Sequence, residues 1–203
     1  MIDVACDGDL WTICINRPDK ANSLTKEMLV TLADTFEAAK DARALILTGE
    51  GKVFSAGADL EEARAGLAVD TVWERLSSAV AAVQGLTVAA LNGTLAGGAM
   101  GMALACDLRI AVPTAKFFYP VMKLGFMPQP SDPVRMAKLI GPSRTKLILM
   151  GGQKITADEA FSFGLVDRLI APEALMDEAR AIVQDTLAAK PEIAMGIKEL
   201  CRR

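Results

Sequence analysis

Histidine is absent from this chain of 203 residues. Without an imidazole, the protein cannot build a Ser-His-Asp or Cys-His nucleophile system, a histidine-ligated zinc site or an imidazole base. Cysteine is also sparse: the four cysteines are far apart in the sequence and show no Cys-x-x-Cys spacing. We therefore expect no metal site and no disulfide framework, since a chain of this length can stabilise itself with a hydrophobic core.

An excess of positive charge is absent too. Lysine and arginine number 22 against 25 acidic residues, for a net charge of −3. A nucleic-acid partner is not expected, because no basic field exists to attract phosphates. The start, Met1-Ile2-Asp3-Val4, lacks the basic and apolar segments of a signal peptide, so we expect a cytoplasmic protein.

One long stretch, Leu76–Cys106, contains no charged residue and is long enough to span a membrane. It also carries Gly-x-x-x-Gly spacings at Gly93, Gly97 and Gly101, which are typical of helix dimers in lipid. However, glycines and amides break it into three short pieces. We expect a helix end, a buried strand and a helix start in the core, and no membrane association.

Apolar runs and turn residues alternate along the rest of the chain. Strands are predicted at residues 2–5, 12–15, 44–48, 87–91, 108–111 and 166–170. Helices are predicted after Thr25 and over residues 69–84, 98–105 and 173–189. This order predicts an α/β fold with parallel strands and right-handed crossovers.

Two loops rich in small residues follow predicted buried strands: Ser55–Asp59 and Asn92–Gly98. Ligands of parallel sheets gather at the carboxyl ends of the strands, and small residues let them approach the backbone. Gly98 would open a helix whose first N–H groups lack partners. One amide from each loop could form an oxyanion hole. The alternative is that these glycines serve only tight turns and helix–sheet packing.

Six blocks of sequence carry a resemblance to a known family. They are Asn16-Arg-Pro with Asn22-Ser-Leu, Phe54-Ser-Ala-Gly-Ala-Asp-Leu60, Leu91-Asn-Gly-Thr-Leu-Ala-Gly-Gly98, Ala105-Cys-Asp-Leu-Arg-Ile110, Gly152-Gln-Lys-Ile-Thr-Ala-Asp-Glu-Ala160 and Gly164-Leu-Val-Asp167. In this order they resemble the crotonase superfamily, the enoyl-CoA hydratases and isomerases.

The resemblance implies an α/β fold with a ββα spiral core over residues 1–170, followed by a short C-terminal helical segment over residues 171–203. Family members usually continue with further C-terminal helices, so this region is expected to be truncated. The resemblance also implies an acyl-CoA thioester substrate, no separate cofactor, and a homo-oligomer, either a trimer or a hexamer.

By position, the resemblance places the oxyanion-hole amides on Ala58 and Gly98. Further positions match those where the family holds CoA: Ala21, Ala56, Asp59 and Leu60. The family often has a lysine where Glu61 and Glu62 stand, and Lys20 is a candidate to replace it. A merely solvated Lys20 is the alternative.

The sequence departs from the family at both catalytic glutamates, which fall on Gly101 and Val121. Hydration needs a base for the water and an acid for the α-carbon, so ordinary two-glutamate hydration is not expected. Asp132 is the first candidate for a recruited acid or base, and Tyr119 is the second. Helix capping is the alternative role for Asp132, and core packing is that for Tyr119.

Two functions follow as hypotheses. The first is an enzyme, a lyase or isomerase in fatty acid metabolism, that stabilises a thioester enolate in the oxyanion hole. The second is a non-catalytic acyl-CoA-binding or structural subunit that keeps the fold. Retention of the two amide positions favours the first hypothesis, and loss of both glutamates favours the second.

Overall fold

Two sheets organise the molecule, which we describe from a computed structural model covering residues 1–202. Over that range the strands are β1 (Ile2–Asp7), β2 (Leu10–Ile15), β3 (Ala44–Gly49), β4 (Val53–Ser55), β5 (Leu86–Leu91), β6 (Thr94–Ala96), β7 (Leu108–Ala111), β8 (Lys116–Phe118), β9 (Ile155–Thr156) and β10 (Arg168–Leu169). The helices are α1 (Lys26–Ala38), α2 (Leu60–Arg64), α3 (Val72–Ala82), α4 (Met100–Ala105), α5 (Val121–Leu124), α6 (Ser131–Leu149), α7 (Ala157–Phe163), α8 (Leu175–Ala188) and α9 (Pro191–Arg202). Short 3-10 turns occupy Pro18–Lys20, Leu67–Val69, Gly97–Ala99 and Pro172–Ala174.

The larger sheet has the strand order β1-β2-β3-β5-β7-β10. All its neighbours pair in parallel except β1 and β2, which form an antiparallel hairpin with Ile2 opposite Ile15. Residues Ala44 to Leu47 of β3 are fully buried, as expected for a central parallel strand covered on both faces.

The smaller sheet has the order β4-β6-β8-β9, and the alternation of its strands with those of the larger sheet along the chain produces the expected ββα spiral. In each of the pairs β3–β4, β5–β6 and β7–β8, the first strand joins the larger sheet and the second joins the smaller one. A helix follows each pair. This repetition confirms the expected α/β fold with a ββα core.

Several elements differ from the prediction. The strands of the smaller sheet lie in segments predicted as loops or left unassigned, because two or three residues are too few to show alternation. The last strand of the larger sheet is only Arg168–Leu169, shorter than the predicted residues 166–170. The helix predicted over residues 69–84 is α3, which begins at Val72 after a separate 3-10 turn.

The charge-free stretch Leu76–Cys106 is divided among α3, β5, β6 and α4, as expected for a core segment. Leu76, Leu91 and Met102, one from each third of the stretch, are each at most 1% exposed. Within residues 1–202, no helix combines the length and the apolar character that a membrane crossing requires.

The two last helices differ in their packing. Helix α8 lies against β3, β5 and β7 and buries Leu175, Ala179 and Val183. Helix α9 leaves large apolar side chains exposed: Ile197 is 58% exposed and Leu200 is 66% exposed. The apolar surface of α9 is therefore only partly covered within one chain.

Candidate functional site

The loops after β4 and β6 meet at one edge of the smaller sheet. These strands pair in parallel, with Ser55 opposite Leu95, so both loops leave in the same direction. Gly57 has a left-handed φ of 88°, and a Cβ atom there would lie 2.9 Å from the carbonyl oxygen of Ala96. The sequence predicted that the loops share an edge, and they do. They follow the two short strands of the smaller sheet, however, and not the buried strands β3 and β5 directly.

The amide of Ala58 is directed away from its neighbouring chain segment. Ala58 forms an isolated parallel bridge with Leu24. The bridge hydrogen bonds run from Leu24 N–H to Gly57 O at 2.8 Å and from Asp59 N–H to Leu24 O at 2.9 Å. Successive amides of an extended segment point to opposite sides, so the Ala58 N–H points away from Leu24.

The amide of Gly98 lies in the first turn of a helical segment. Gly98 is the second residue of the 3-10 turn Gly97–Ala99, which runs directly into α4. Amides at such a position have no carbonyl partner within the helix and form the positive end of its dipole. An anionic oxygen placed there would gain a hydrogen bond and a favourable field.

Trp73 closes the site below Gly98. A Cβ atom on Gly98 would lie 3.0 Å from the indole ring, so a larger residue would push against Trp73. The indole N–H donates to the carbonyl oxygen of Leu67 at 2.8 Å, which fixes the ring. Gly98 thus serves close packing, the alternative role considered from the sequence. That packing does not use its N–H group.

Ala58 and Gly98 line the same cavity, which has a volume of about 200 Å³. Most of its wall is apolar, and among the lining residues that the structure describes, Tyr119 carries the one ionisable group. The remaining lining residues are Ala56, Leu60, Ala63, Ala68, Trp73, Ala96, Gly97, Phe118, Pro120, Val121, Leu124, Phe126 and Met127. The cavity can thus take an apolar group beside two backbone amides.

Asn22 holds the first loop in place, a role that sequence reasoning missed. Its buried side chain accepts from Arg17 N–H at 2.8 Å and donates to the carbonyl oxygens of Glu50 and Val53 at 2.9 and 2.7 Å. The Ser55 hydroxyl donates to the Asn22 carbonyl oxygen at 2.8 Å. Asn22 has a left-handed φ of 53°, which asparagine tolerates better than most residues.

The residues expected to hold CoA lie in the Ser55–Asp59 loop or next to it. Ala21 accepts a hydrogen bond from Ala56 N–H at 3.0 Å, and the exposed Leu60 forms part of the cavity rim. Lys20 is exposed at the end of the 3-10 turn Pro18–Lys20.

The Asp59 side chain has structural partners of its own. Its carboxylate receives the Arg17 guanidinium at 2.9 Å and accepts from Glu61 N–H at the start of α2 at 3.1 Å. The hydrogen bond from Arg17 lowers the pKa of Asp59. Sequence reasoning did not find the Arg17–Asp59 pair, because 42 residues separate the two.

Gly101 and Val121, the positions that the resemblance matches to family glutamates, carry no carboxylate. Gly101 is buried in α4, and Val121 forms an apolar part of the cavity wall. A Cβ atom on Gly101 would lie 2.7 Å from Oδ1 of Asp132. The Asp132 carboxyl therefore occupies space next to the backbone of residue 101.

Asp132 and Tyr119, the two candidates for a recruited acid or base, are in contact. The Tyr119 hydroxyl donates to Oδ2 of Asp132 at 3.0 Å. Asp132 is fully buried, and within the described residues its Oδ1 has no hydrogen-bond partner. Helix capping, the alternative role for Asp132, is wrong: α6 begins at Ser131 after Pro130 and has no side-chain cap. Tyr119 is buried in the core, as its alternative role requires, but it also lines the cavity.

Burial changes the acid–base behaviour of this pair. Desolvation raises the pKa of Asp132 to about 7, and the nearby charge of Glu74 adds to the rise. The Tyr119 hydroxyl and the Arg135 guanidinium act in the opposite direction. Desolvation and the Asp132 charge also raise the pKa of Tyr119 above its usual range. A carboxyl with a pKa near neutrality can gain or lose a proton at little cost.

A larger cavity of about 560 Å³ lies elsewhere, beneath α9. Its wall includes Leu86, Leu108, Ile193 and Ile197, and Lys198 spans it to hydrogen bond with Asp107 at 2.6 Å. Neither Ala58 nor Gly98 belongs to that wall. We therefore place the candidate site in the smaller cavity, where the loops converge.

The two-sheet ββα architecture, with its cavity at the ends of β4 and β6, defines a protein of the crotonase fold. The family model described as enoyl-CoA hydratase/isomerase matches residues 7–203. The chain belongs to the enoyl-CoA hydratase/isomerase family.

Individual relatives agree with this assignment. The crotonyl-CoA hydratase of Syntrophomonas wolfei is 34% identical over 199 residues, covering 94% of this chain and 76% of the relative. The carnitinyl-CoA dehydratase of Citrobacter koseri is 34% identical over 208 residues, covering 96% of this chain and 77% of the relative. The crystal structure of an enoyl-CoA hydratase from Bacillus anthracis superposes with a TM-score of 0.90 at 30% identity, covering 100% of this chain and 82% of that one.

Proposed function

We propose that this chain is an enzyme that binds acyl-CoA thioesters and stabilises their enolates with the amides of Ala58 and Gly98. One observation carries the proposal: both amides belong to residues that line one cavity, and the Ala58 N–H is not used by the bridge to Leu24. The thioester oxygen would lie between these donors while the acyl group fills the apolar cavity.

The two donors act where negative charge develops. When a bond at the α-carbon breaks, its electrons move to the thioester oxygen, and fixed amides stabilise that charge without reorganising. Loss of one such donor typically lowers the rate by about 10²–10³-fold. Two donors alone can therefore supply much of the barrier reduction for enolate chemistry.

The proposed chemistry is not two-glutamate hydration, although relatives are named for adding or removing water. Gly101 and Val121 carry no carboxyl group, and none of the described residues that line the cavity carries a carboxylate. Nothing in that wall can activate a water in the family manner. Decarboxylation of a β-carboxy thioester and proton transfer at the α-carbon depend least on the missing groups.

Lys20, Ala21, Ala56, Asp59 and Leu60 are proposed to hold the CoA part. Ala56 and Leu60 support this role because they lie at the cavity wall beside Ala58. For Asp59, the backbone is the available contact, since its carboxylate is engaged by Arg17. Lys20, exposed beside this loop, is the candidate partner for a CoA phosphate.

We also propose that the chain forms a homo-oligomer, a trimer or a hexamer, in the cytoplasm. The exposed apolar side chains of α9 support self-association, because contiguous apolar surface usually marks an interface. Native mass spectrometry measures the assembly directly, and a monomer at micromolar concentration would contradict this proposal.

A non-catalytic acyl-CoA-binding subunit is the second candidate, favoured by the absent glutamates. Incubation with saturated, 2-enoyl, 3-enoyl and β-carboxy acyl-CoAs in D₂O, followed by mass spectrometry, separates the two candidates. Loss of CO₂ or uptake of α-deuterium supports the enzyme. Binding of the thioesters without any change in their mass supports the binding subunit.

A further inference from the structure

We propose that Tyr119 exchanges a proton with the α-carbon of the substrate, and that Asp132 behind it accepts and returns that proton. This inference rests on the proposed function, because it supplies the proton carrier that an enolate reaction needs. It assigns to a tyrosine and a buried aspartate the work that carboxylates at residues 101 and 121 would do.

The cavity wall leads to Tyr119. Of the described residues that line the cavity with Ala58 and Gly98, Tyr119 has the one side chain that can exchange a proton. The Trp73 N–H is committed to the Leu67 carbonyl oxygen at 2.8 Å. A proton passed between a lining side chain and a bound acyl group therefore passes through the Tyr119 hydroxyl.

Asp132 is the second residue of this Tyr119–Asp132 pair, which we call the proton relay. It does not line the cavity, but its Oδ2 accepts from the Tyr119 hydroxyl at 3.0 Å. Its Oδ1 lies against Gly101, whose lack of a side chain leaves room for the carboxyl. Asp132 thus reaches the substrate only through Tyr119 and is a positioning and proton-storing residue.

The proton and electron movements balance. When the α-carbon loses its hydrogen, that proton moves to the Tyr119 oxygen while the Tyr119 proton moves to the Asp132 carboxylate. The electron pair of the broken C–H bond becomes the enolate, whose oxygen lies at the Ala58 and Gly98 amides. The reverse movement protonates an enolate formed in another way, including by loss of CO₂.

The charged and polar groups around Asp132 determine its pKa and so how easily it accepts and returns a proton. Glu74 of α3 raises the pKa of Asp132, and Arg135 of α6 lowers it, as does Tyr119. Glu74 accepts from the Ser131 hydroxyl at 3.0 Å, and Arg135 donates to the same hydroxyl at 2.6 Å. The residues of α4, which packs against α6, are uncharged.

The test is the pH dependence of α-deuterium uptake from D₂O, using the most reactive thioester of the panel. Tyr119→Phe and Asp132→Asn each keep the shape of the side chain, and each should slow uptake by at least ~100-fold, as expected for loss of a general acid–base group. Asp177→Asn, on the exposed side of α8, is the matched control and should match the wild type.

A third variant separates chemistry from a merely structural effect. Glu74→Gln removes a charge that raises the Asp132 pKa, so the midpoint of the wild-type profile should move to lower pH with little change in the maximal rate. Circular dichroism confirms that each variant is folded.

Two results would overturn the relay. If the wild type takes up deuterium and Tyr119→Phe or Asp132→Asn does so at the same rate with the same profile, the relay is wrong and the proposed function stands. If the wild type binds every thioester but neither takes up α-deuterium nor releases CO₂ from any of them, both proposals are wrong.

Discussion

Asp132 occupies the space that a side chain at Gly101 would need: a Cβ atom on Gly101 would lie 2.7 Å from Oδ1 and 3.2 Å from Oδ2 of Asp132. Both residues are buried, Gly101 in α4 and Asp132 in α6. The Asp132 carboxyl therefore fits in this position because residue 101 has no side chain. A glutamate at residue 101 would be incompatible with Asp132 in this position.

Gly101→Ala should displace the Asp132 carboxyl and weaken its contact with Tyr119. The added methyl group would force either the carboxyl or the helix to move, and such overpacking typically costs about 1–3 kcal/mol. Chemical denaturation measures this loss of stability. We expect the double variant Gly101→Ala/Asp132→Ala to lose less stability than the sum of the single variants, because the clash is absent. Strict additivity would contradict the contact.

Asp132→Asn should stabilise the protein more at pH 8 than at pH 5. The pKa of Asp132 is about 7 in the folded chain, against an ordinary value of 3.8, so the folded state binds this proton more tightly. The stabilising contribution of the neutral carboxyl is then complete below pH 4 and is lost as pH rises towards 7. Each unit of pKa shift corresponds to about 1.36 kcal/mol, so the difference should reach a few kcal/mol.

Thermal unfolding at both pH values checks this prediction. Asparagine has the same shape as aspartate and can still accept from Tyr119, so packing is preserved. An equal change in melting temperature at pH 5 and pH 8 would mean that Asp132 ionises as an ordinary exposed aspartate does.

Asn22→Ala should destabilise the site loop strongly. The change removes the partners of Arg17 N–H and of the Glu50 and Val53 carbonyl groups. Each buried group left unsatisfied costs about 1–3 kcal/mol, so we expect a loss of about 3 kcal/mol or more in urea unfolding. Asn16→Ala is the control, since it removes one exposed hydrogen bond, to Asp3. Similar losses for both variants would show that Asn22 does not hold the loop.

Most of the larger sheet was predictable from the sequence, because buried parallel strands such as β3 and β5 are continuous apolar runs bounded by turns. The smaller sheet was not predictable, since its strands have two or three residues and are defined by pairing with distant partners. The Ser55–Asp59 and Asn92–Gly98 loops share one sheet edge, as loop composition and strand order predicted, whereas the choice of Ala58 and Gly98 as the amide residues came from the family resemblance.

The parts of the site that sequence reasoning missed depend on long-range contacts. Trp73 beneath Gly98 and Asn22 across from Ser55 have no local pattern that indicates their partners. Asp132 and Tyr119 were singled out separately, and only the packing of α6 against α4 brings the carboxyl to Gly101.

The most direct test of the central claim compares Gly98→Pro with Gly98→Ala. Both variants place a carbon against Trp73, but only proline removes the N–H group. We predict that α-deuterium uptake by a bound acyl-CoA falls about 10²–10³-fold further in Gly98→Pro than in Gly98→Ala, with both proteins folded. Equal rates in the two variants would show that the Gly98 amide does not stabilise the enolate, and would contradict the proposed oxyanion hole.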